Sequence, residues 1–221
     1  MAVDSRVIYD QGWLFRYTKS ANAGRHRLLL MLHGWTGNED SMNVFQRNLP
    51  DDYCMVAPRG IVALDEGGYG WLAGMAGKDA SLAAFQEPVD ALAKMLPYWL
   101  QLQPDTFPQI SLMGFSQGAA LALSFSLFYP QLVDRVVAMA GFLPYLPNDF
   151  MPDEAVKSTQ YFIAHGSQDS MVPTERAQQA KIQLENFGAS VAYCEDAVKH
   201  RISSRCLHSV QQFMALPPLD K

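Results

Sequence analysis

Six short apolar runs with helical patterns between them constrain this chain more than any other feature. They are Leu28–Leu32, Cys54–Ala57, Ile110–Met113, Val133–Ala140, Tyr161–Ala164 and Val191–Cys194. Each is nearly continuous and bordered by Gly, Pro or Asp, as expected of strands buried on both faces. Helical spacing fills the gaps. Leu82–Leu102 carries Phe85, Val89, Leu92, Leu96, Trp99 and Leu100 on one face, with Pro88 and Pro97 predicting a late start and a bend or break. Gln117–Phe128 predicts a helix that ends before Pro130. Thr174–Phe187 predicts another, with Thr174 as N-cap and Gly188 as stop, and Ile202–Met214 the last. Ahead of these, Val7–Tyr9 and Trp13–Tyr17 flank Asp10-Gln11-Gly12 and predict an antiparallel hairpin at a sheet edge. Strand-helix alternation implies an α/β fold, its mostly parallel sheet covered by helices on both faces. In such sheets the site lies at the carboxyl ends of the strands.

No repeat, low-complexity tract or flexible linker divides the 221 residues. One domain over 1–221, with residues 1–20 as its edge hairpin, is the expectation. The formal net charge is −5 and no Lys/Arg run occurs, which argues against nucleic acid and anionic membrane surfaces as partners. Met1–Arg6 lacks the charged start and apolar stretch of a secretory signal. The apolar run Ala119–Phe125 is far below the ~20 residues that span a bilayer, so stable membrane insertion is not expected. Three cysteines, Cys54, Cys194 and Cys206, are odd in number and not at metal-binding spacing. They read as free thiols in a cytoplasmic protein, and neither a metal site nor a cofactor is expected.

Gly114-Phe115-Ser116-Gln117-Gly118 fits G-x-S-x-G. Alone the pattern is weak, since an average chain of this length shows it by chance in roughly 7% of cases. Its setting is informative: a strand pattern precedes it and a helix pattern follows. A sharp strand-to-helix turn there would lift the Ser116 hydroxyl to a helix N-terminus, where the dipole favours a developing oxyanion. The alternative is a glycine-bounded turn whose serine only caps a helix.

A serine hydroxyl is a poor nucleophile until a histidine takes its proton and a carboxylate orients that histidine. The chain order for such a turn is Ser, then Asp or Glu, then His. Two histidines lie late enough. His208 falls on the polar stripe of the last helix, opposite Leu207, Val210 and Met214, and reads as solvated. His200 follows the strand Val191–Cys194 and is favoured. Asp169, in the loop His165-Gly166-Ser167-Gln168-Asp169 after another strand, is the favoured acid. Asp196 is its nearest competitor; Asp149 and Asp153 lie in a Pro-rich connection, and Glu175 suits a first helical turn. His33 and His165 read as loop-holding residues, and His26 as a surface loop residue. A tetrahedral intermediate also needs two aimed N–H donors. Gln117 backbone N–H is one candidate. Trp35 N–H, in Leu32-His33-Gly34-Trp35-Thr36-Gly37, is the other.

Over about residues 24–215 the sequence resembles the phospholipase/carboxylesterase family of α/β-hydrolases, which includes bacterial carboxylesterases and acyl-protein thioesterases. The resemblance rests on Leu32-His33-Gly34, Pro58-Arg59-Gly60, Gly67-Gly68-Tyr69-Gly70-Trp71, the Ser116 motif, His165-Gly166 through Asp169 to Val172-Pro173, and His200. It implies an α/β-hydrolase fold without a large cap domain, and Ser116, Asp169 and His200 as a triad. It further implies a small acyl ester or thioester as substrate, and allows a homodimer. Two departures bear on the pocket: Ala197-Val198-Lys199 where the family often has glycine, and Leu72-Ala73 after Trp71 where it often has Phe-Asp. Tyr69, Trp71, Leu72, Met75, Phe142 and Met171, with Trp35 and Leu143, are candidates for an acyl groove, or else for core packing. Within the hydrolase reading, a simple carboxylesterase is favoured over an acyl-protein thioesterase or lysophospholipase. A non-catalytic binding protein of the same fold is the reading from another class. A nucleotide-binding domain lacks the G-x-G-x-x-G that would support it.

Overall fold

The computed structural model describes residues 4–47, 49–73 and 79–218. Strands β1 (Ser5–Asp10) and β2 (Trp13–Thr18) form the expected antiparallel hairpin, and β2 then pairs antiparallel with β4 (Tyr53–Pro58). The remaining pairs of the main sheet are parallel: β3 (His26–Leu32), β7 (Thr106–Phe115), β8 (Val133–Met139), β9 (Gln160–Gly166) and β10 (Ser190–Asp196). The sheet runs β1-β2-β4-β3-β7-β8-β9-β10. Two short strands, β5 (Val62–Ala63) and β6 (Tyr69–Gly70), pair separately and have no signal in the sequence.

Alternation across the pleat builds two cores. Leu28, Leu30 and Leu32 of β3 pack on one face with α1 (Gln86–Leu100), α2 (Gln117–Phe128) and α3 (Thr174–Asn186). Leu29 and Met31 pack on the other with α4 (Ser204–Met214). Both faces are therefore covered, as in an α/β-hydrolase, and among the described residues no large cap overlies the strand ends. No helix among them is long and apolar enough to cross a membrane.

Four expectations need correction. Pro97 does not break its helix: α1 continues through it to Leu100. It sits in the last turn, and the burial of Leu96 and Trp99 outweighs one lost backbone bond. Thr174 is not the cap of α3; Pro173 occupies that position, and the Thr174 hydroxyl instead donates to Glu195. Strand β10 is only half-buried, because β9 is its single neighbour in the sheet. Finally, Cys194 and Cys206 are not free thiols but a disulfide with Cα atoms 5.6 Å apart, leaving Cys54 free and buried. The pairing removes the cysteine argument for a reducing compartment.

The order of β4, β3 and β7 matters most for the site. After β3 the chain moves to one side to form β4, and later returns to lay β7 on the other side. The loops leaving β3 and β7 thus part in opposite directions and leave a crevice at their carboxyl ends, where open α/β sheets bind ligands.

Candidate active site

Ser116 lies at that crevice, between the last residue of β7 and the first of α2. Its backbone sits at φ 54°, ψ −118°, a region non-glycine residues rarely occupy. The conformation is held from both ends: Ser116 N–H donates to Met139 O at 2.9 Å, and its carbonyl accepts from Ala119 and Ala120. The flanking glycines are required by contact. A Cβ on Gly114 would fall on the Gly118 carbonyl, and one on Gly118 on the Leu32 carbonyl, both backbone atoms that cannot move aside.

The carboxyl end of β9 delivers the acid. Asp169 is buried; its Oδ1 accepts from Met171 N–H at 2.9 Å and Val172 N–H at 3.0 Å. Oδ2 lies 2.6 Å from His200 Nδ1, and His200 Nε2 lies 3.0 Å from Ser116 Oγ. Three residues from three separate strand ends thus form one hydrogen-bonded chain. With Nδ1–H donated to the carboxylate, Nε2 turns its lone pair to the hydroxyl. The competing residues lie elsewhere. Asp196 accepts from Arg205 and its own neighbour Ala197, Asp153 caps a short 3-10 turn, and His208 is exposed beside Gln212.

The two remaining strand-end histidines hold loops, as expected. His165 Nε2–H donates to Val172 O at 2.8 Å, closing the acid loop from behind. Burial lowers its pKa, outweighing the carbonyl and carboxylate that would raise it. His33 Nδ1–H donates to Gly34 O at 2.7 Å, while Nε2 accepts Gly60 N–H at 2.8 Å. Accepting the Gly60 N–H at Nε2 requires the neutral ring. Desolvation pushes the His33 pKa down to about 4. His26, expected on a surface loop, is instead buried at the start of β3, bonded to Ser20 and Gln103.

His33 anchors the loop that presents Trp35. Neither Trp35 N–H nor Gln117 N–H meets an acceptor among the described residues, so both are available to an oxyanion. The Gln117 side chain has a separate task that the motif does not reveal: its Oε1 accepts Trp71 N–H at 2.8 Å. Trp71 Nε1–H in turn donates to His33 O at 2.8 Å, so the indole braces the loop instead of facing a substrate.

A cavity of about 560 Å³ opens on Ser116 and His200. Of the six pocket residues expected, Met171 lines it and Met75 lies outside the described residues. The other four are not in its wall: Trp71 and Phe142 are buried in the core, Leu72 packs against it, and Tyr69 bonds Arg59. Leu143 is also core, whereas Trp35 does line the cavity. The wall was missed where the sequence carries no period. Val44 and Phe45 come from a short 3-10 turn, Asn43–Phe45, and Phe115, Arg201 and Ile202 are chain neighbours of Ser116 and His200. Phe115 stacks on Phe45 with ring centres 6.0 Å apart and touches the His200 ring at 5.1 Å. Adjacency to Ser116 and His200 was the one available signal for Phe115, Arg201 and Ile202.

Sheet order, elbow and strand-end loops together define an α/β-hydrolase. The chain belongs to the phospholipase/carboxylesterase family, whose model matches residues 17–217. A Bacillus cereus carboxylesterase superposes with a TM-score of 0.81 at 20% identity, covering 93% of this chain and 94% of that one. A Mesorhizobium loti carboxylesterase also gives 0.81 at 20% identity, over 97% and 100% of the two chains. Carboxylesterase SOBER1 of Arabidopsis thaliana is 29% identical over 108 residues, which are 48% of this chain and 47% of the relative. Acyl-protein thioesterase 1 of Kluyveromyces lactis is 30% identical over 106 residues, 46% of each chain. The match thus spans about half the length of these curated relatives.

Proposed function

We propose that this protein is a serine carboxylic-ester hydrolase working through an acyl-enzyme, with Ser116 as nucleophile, His200 as general base and acid, and Asp169 as the group that orients the imidazole. The observation that carries this is the relay from Asp169 Oδ2 through His200 to Ser116 Oγ, with contacts of 2.6 and 3.0 Å. As Oγ attacks the ester carbonyl, its proton passes to His200 Nε2, and the buried carboxylate stabilises the imidazolium. The carbonyl oxygen becomes an oxyanion and accepts from Trp35 and Gln117 N–H; one such donor is worth about 2.7–4 kcal/mol in comparable sites. Collapse expels the alcohol, which takes the proton from Nε2. Water then repeats the sequence, releasing the acid and restoring Ser116. Thioesters fit the same steps with a thiol leaving, and the match to a thioesterase favours including them.

A fluorophosphonate probe should label the peptide that carries Ser116. Hydrolysis of p-nitrophenyl esters should fall by on the order of 10⁶ in kcat in Ser116→Ala. Label on another residue, or ester turnover that survives the substitution, would overturn the assignment. A series of esters from two to sixteen carbons, each with its thioester, ranks the leaving groups.

A further inference from the structure

Among the described residues that line the cavity beside Ser116, Arg201 is the one that carries a permanent charge. The other lining residues, His200 aside, are apolar or uncharged, among them Trp35, Phe45, Phe115, Met171 and Ile202. Arg201 is exposed, and its guanidinium has no acceptor among the described residues. Arg16, Arg27, Arg59, Arg135 and Arg205 are ion-paired, and the exposed Arg6 and Arg47, which also have no acceptor among the described residues, do not line the cavity. The adjacent acid cannot supply a partner, because both Asp169 oxygens are committed to Met171, Val172 and His200 and the side chain is fully buried. Glu66 reaches the cavity only through Trp35, whose Nε1–H it accepts at 3.0 Å, and is not in the lining.

The backbone of Arg201 is fixed from both sides. It follows His200 directly, its N–H donates to Lys199 O at 2.6 Å, and Ser203 caps α4 two residues on. A planar, permanently charged fork is thereby carried on an anchored backbone in the wall of a largely apolar cavity, in a chain whose net charge is −5. A neutral acyl ester would leave it unused. An ester that also bears a carboxylate or phosphate would meet it with charge-assisted, bidentate hydrogen bonds.

We propose that Arg201 is a specificity residue selecting esters that carry an anionic group a few bonds from the scissile carbonyl, while Phe45, Phe115 and Ile202 hold the uncharged remainder. The inference rests on the reading of Ser116 as nucleophile. The anion can sit on the acyl side or on the leaving group, and two pairs of esters separate these cases. p-Nitrophenyl hemisuccinate and p-nitrophenyl butyrate differ by a carboxylate on the acyl side. The butyryl esters of 4-hydroxybenzoate and of methyl 4-hydroxybenzoate differ by one on the leaving group.

For each pair the quantity to read is the charged-to-neutral ratio of kcat/KM, which cancels any general loss of activity. In Arg201→Gln this ratio should drop about three- to tenfold for one pair, mainly through KM. Arg201→Lys should restore part of it, and added salt should shrink the wild-type preference. Unchanged ratios for both pairs in Arg201→Gln, with all four hydrolyses abolished by Ser116→Ala, overturn the anion site alone. Hydrolysis that survives Ser116→Ala overturns the reading of the site beneath it.

Discussion

His33 shows how one side chain can tie the integrity of a site to pH. Both ring nitrogens are used, one donating to Gly34 O and one accepting from Gly60 N–H, and only the neutral imidazole satisfies both. Its folded pKa of about 4 lies below the ordinary 6.5. In the unfolded chain the ring takes up a proton as pH falls through 6.5, while in the folded protein it does so only near 4. Stability from this group is therefore complete above pH 6.5 and lost progressively towards pH 4, by about 3 kcal/mol in all. The buried His165, also shifted down, adds in the same direction. The unfolding midpoint in urea should fall steadily from pH 7 to 4.5. His33→Gln should have a lower midpoint at pH 7 and a shallower fall, and equal slopes for the two proteins would refute the coupling. Residues of this kind were legible only in outline. Ser116, Asp169 and His200 could be singled out because chain order and strand-end position limit the choices. The bonds of His33 to Gly60, of Gln117 to Trp71 and of Trp71 to His33 could not, since each partner lies 27 to 46 residues away.

At the scale of elements, the last helix depends on two buried arginines. The C-terminal carbonyls of α4 and the residues after it lack intrahelical partners. Arg135, fully buried on β8, donates to Phe213 O, Leu216 O and Pro217 O at 2.8 to 3.1 Å and pairs with Asp134. Arg27 on β3 donates to Met214 O and Leu216 O and grips Asp52 with two bonds. Arg135→Met should cost about 3–5 kcal/mol, because it strands the buried Asp134 and several carbonyls. A second change, Asp134→Leu, should recover part of that loss; chemical denaturation of the two variants checks both. The sequence announces α2 to the residue, because its hydrophobic run and Pro130 agree, and it announces the hairpin β1–β2 through Asp10-Gln11-Gly12. It gives no hint that strand residues such as Arg27 and Arg135 turn inward. A charge inside an apolar run reads as a boundary until the helix end that needs it is in place.

For the molecule as a whole, the disulfide is the feature least expected from composition. Cys194 and Cys206 close a loop with His200 at its midpoint, joining the end of β10 to the start of α4. A closed loop of this length restricts the unfolded chain enough to contribute about 3 kcal/mol. The double variant Cys194→Ser/Cys206→Ser should lose a comparable amount in denaturant titration under non-reducing conditions, and an unchanged midpoint would show that the bond adds nothing. The pairing of Leu32 with Gly114 acts at the same scale. Trp35 and Gln117 each stand three residues beyond one member of that pair, so the gap between these two proposed oxyanion donors is gauged by two adjacent strands, ~4.8 Å apart. No change of side chain can reset that gauge. Substitutions in the cavity wall would leave the spacing of the two proposed donors as it is, since strand pairing sets it and the lining does not.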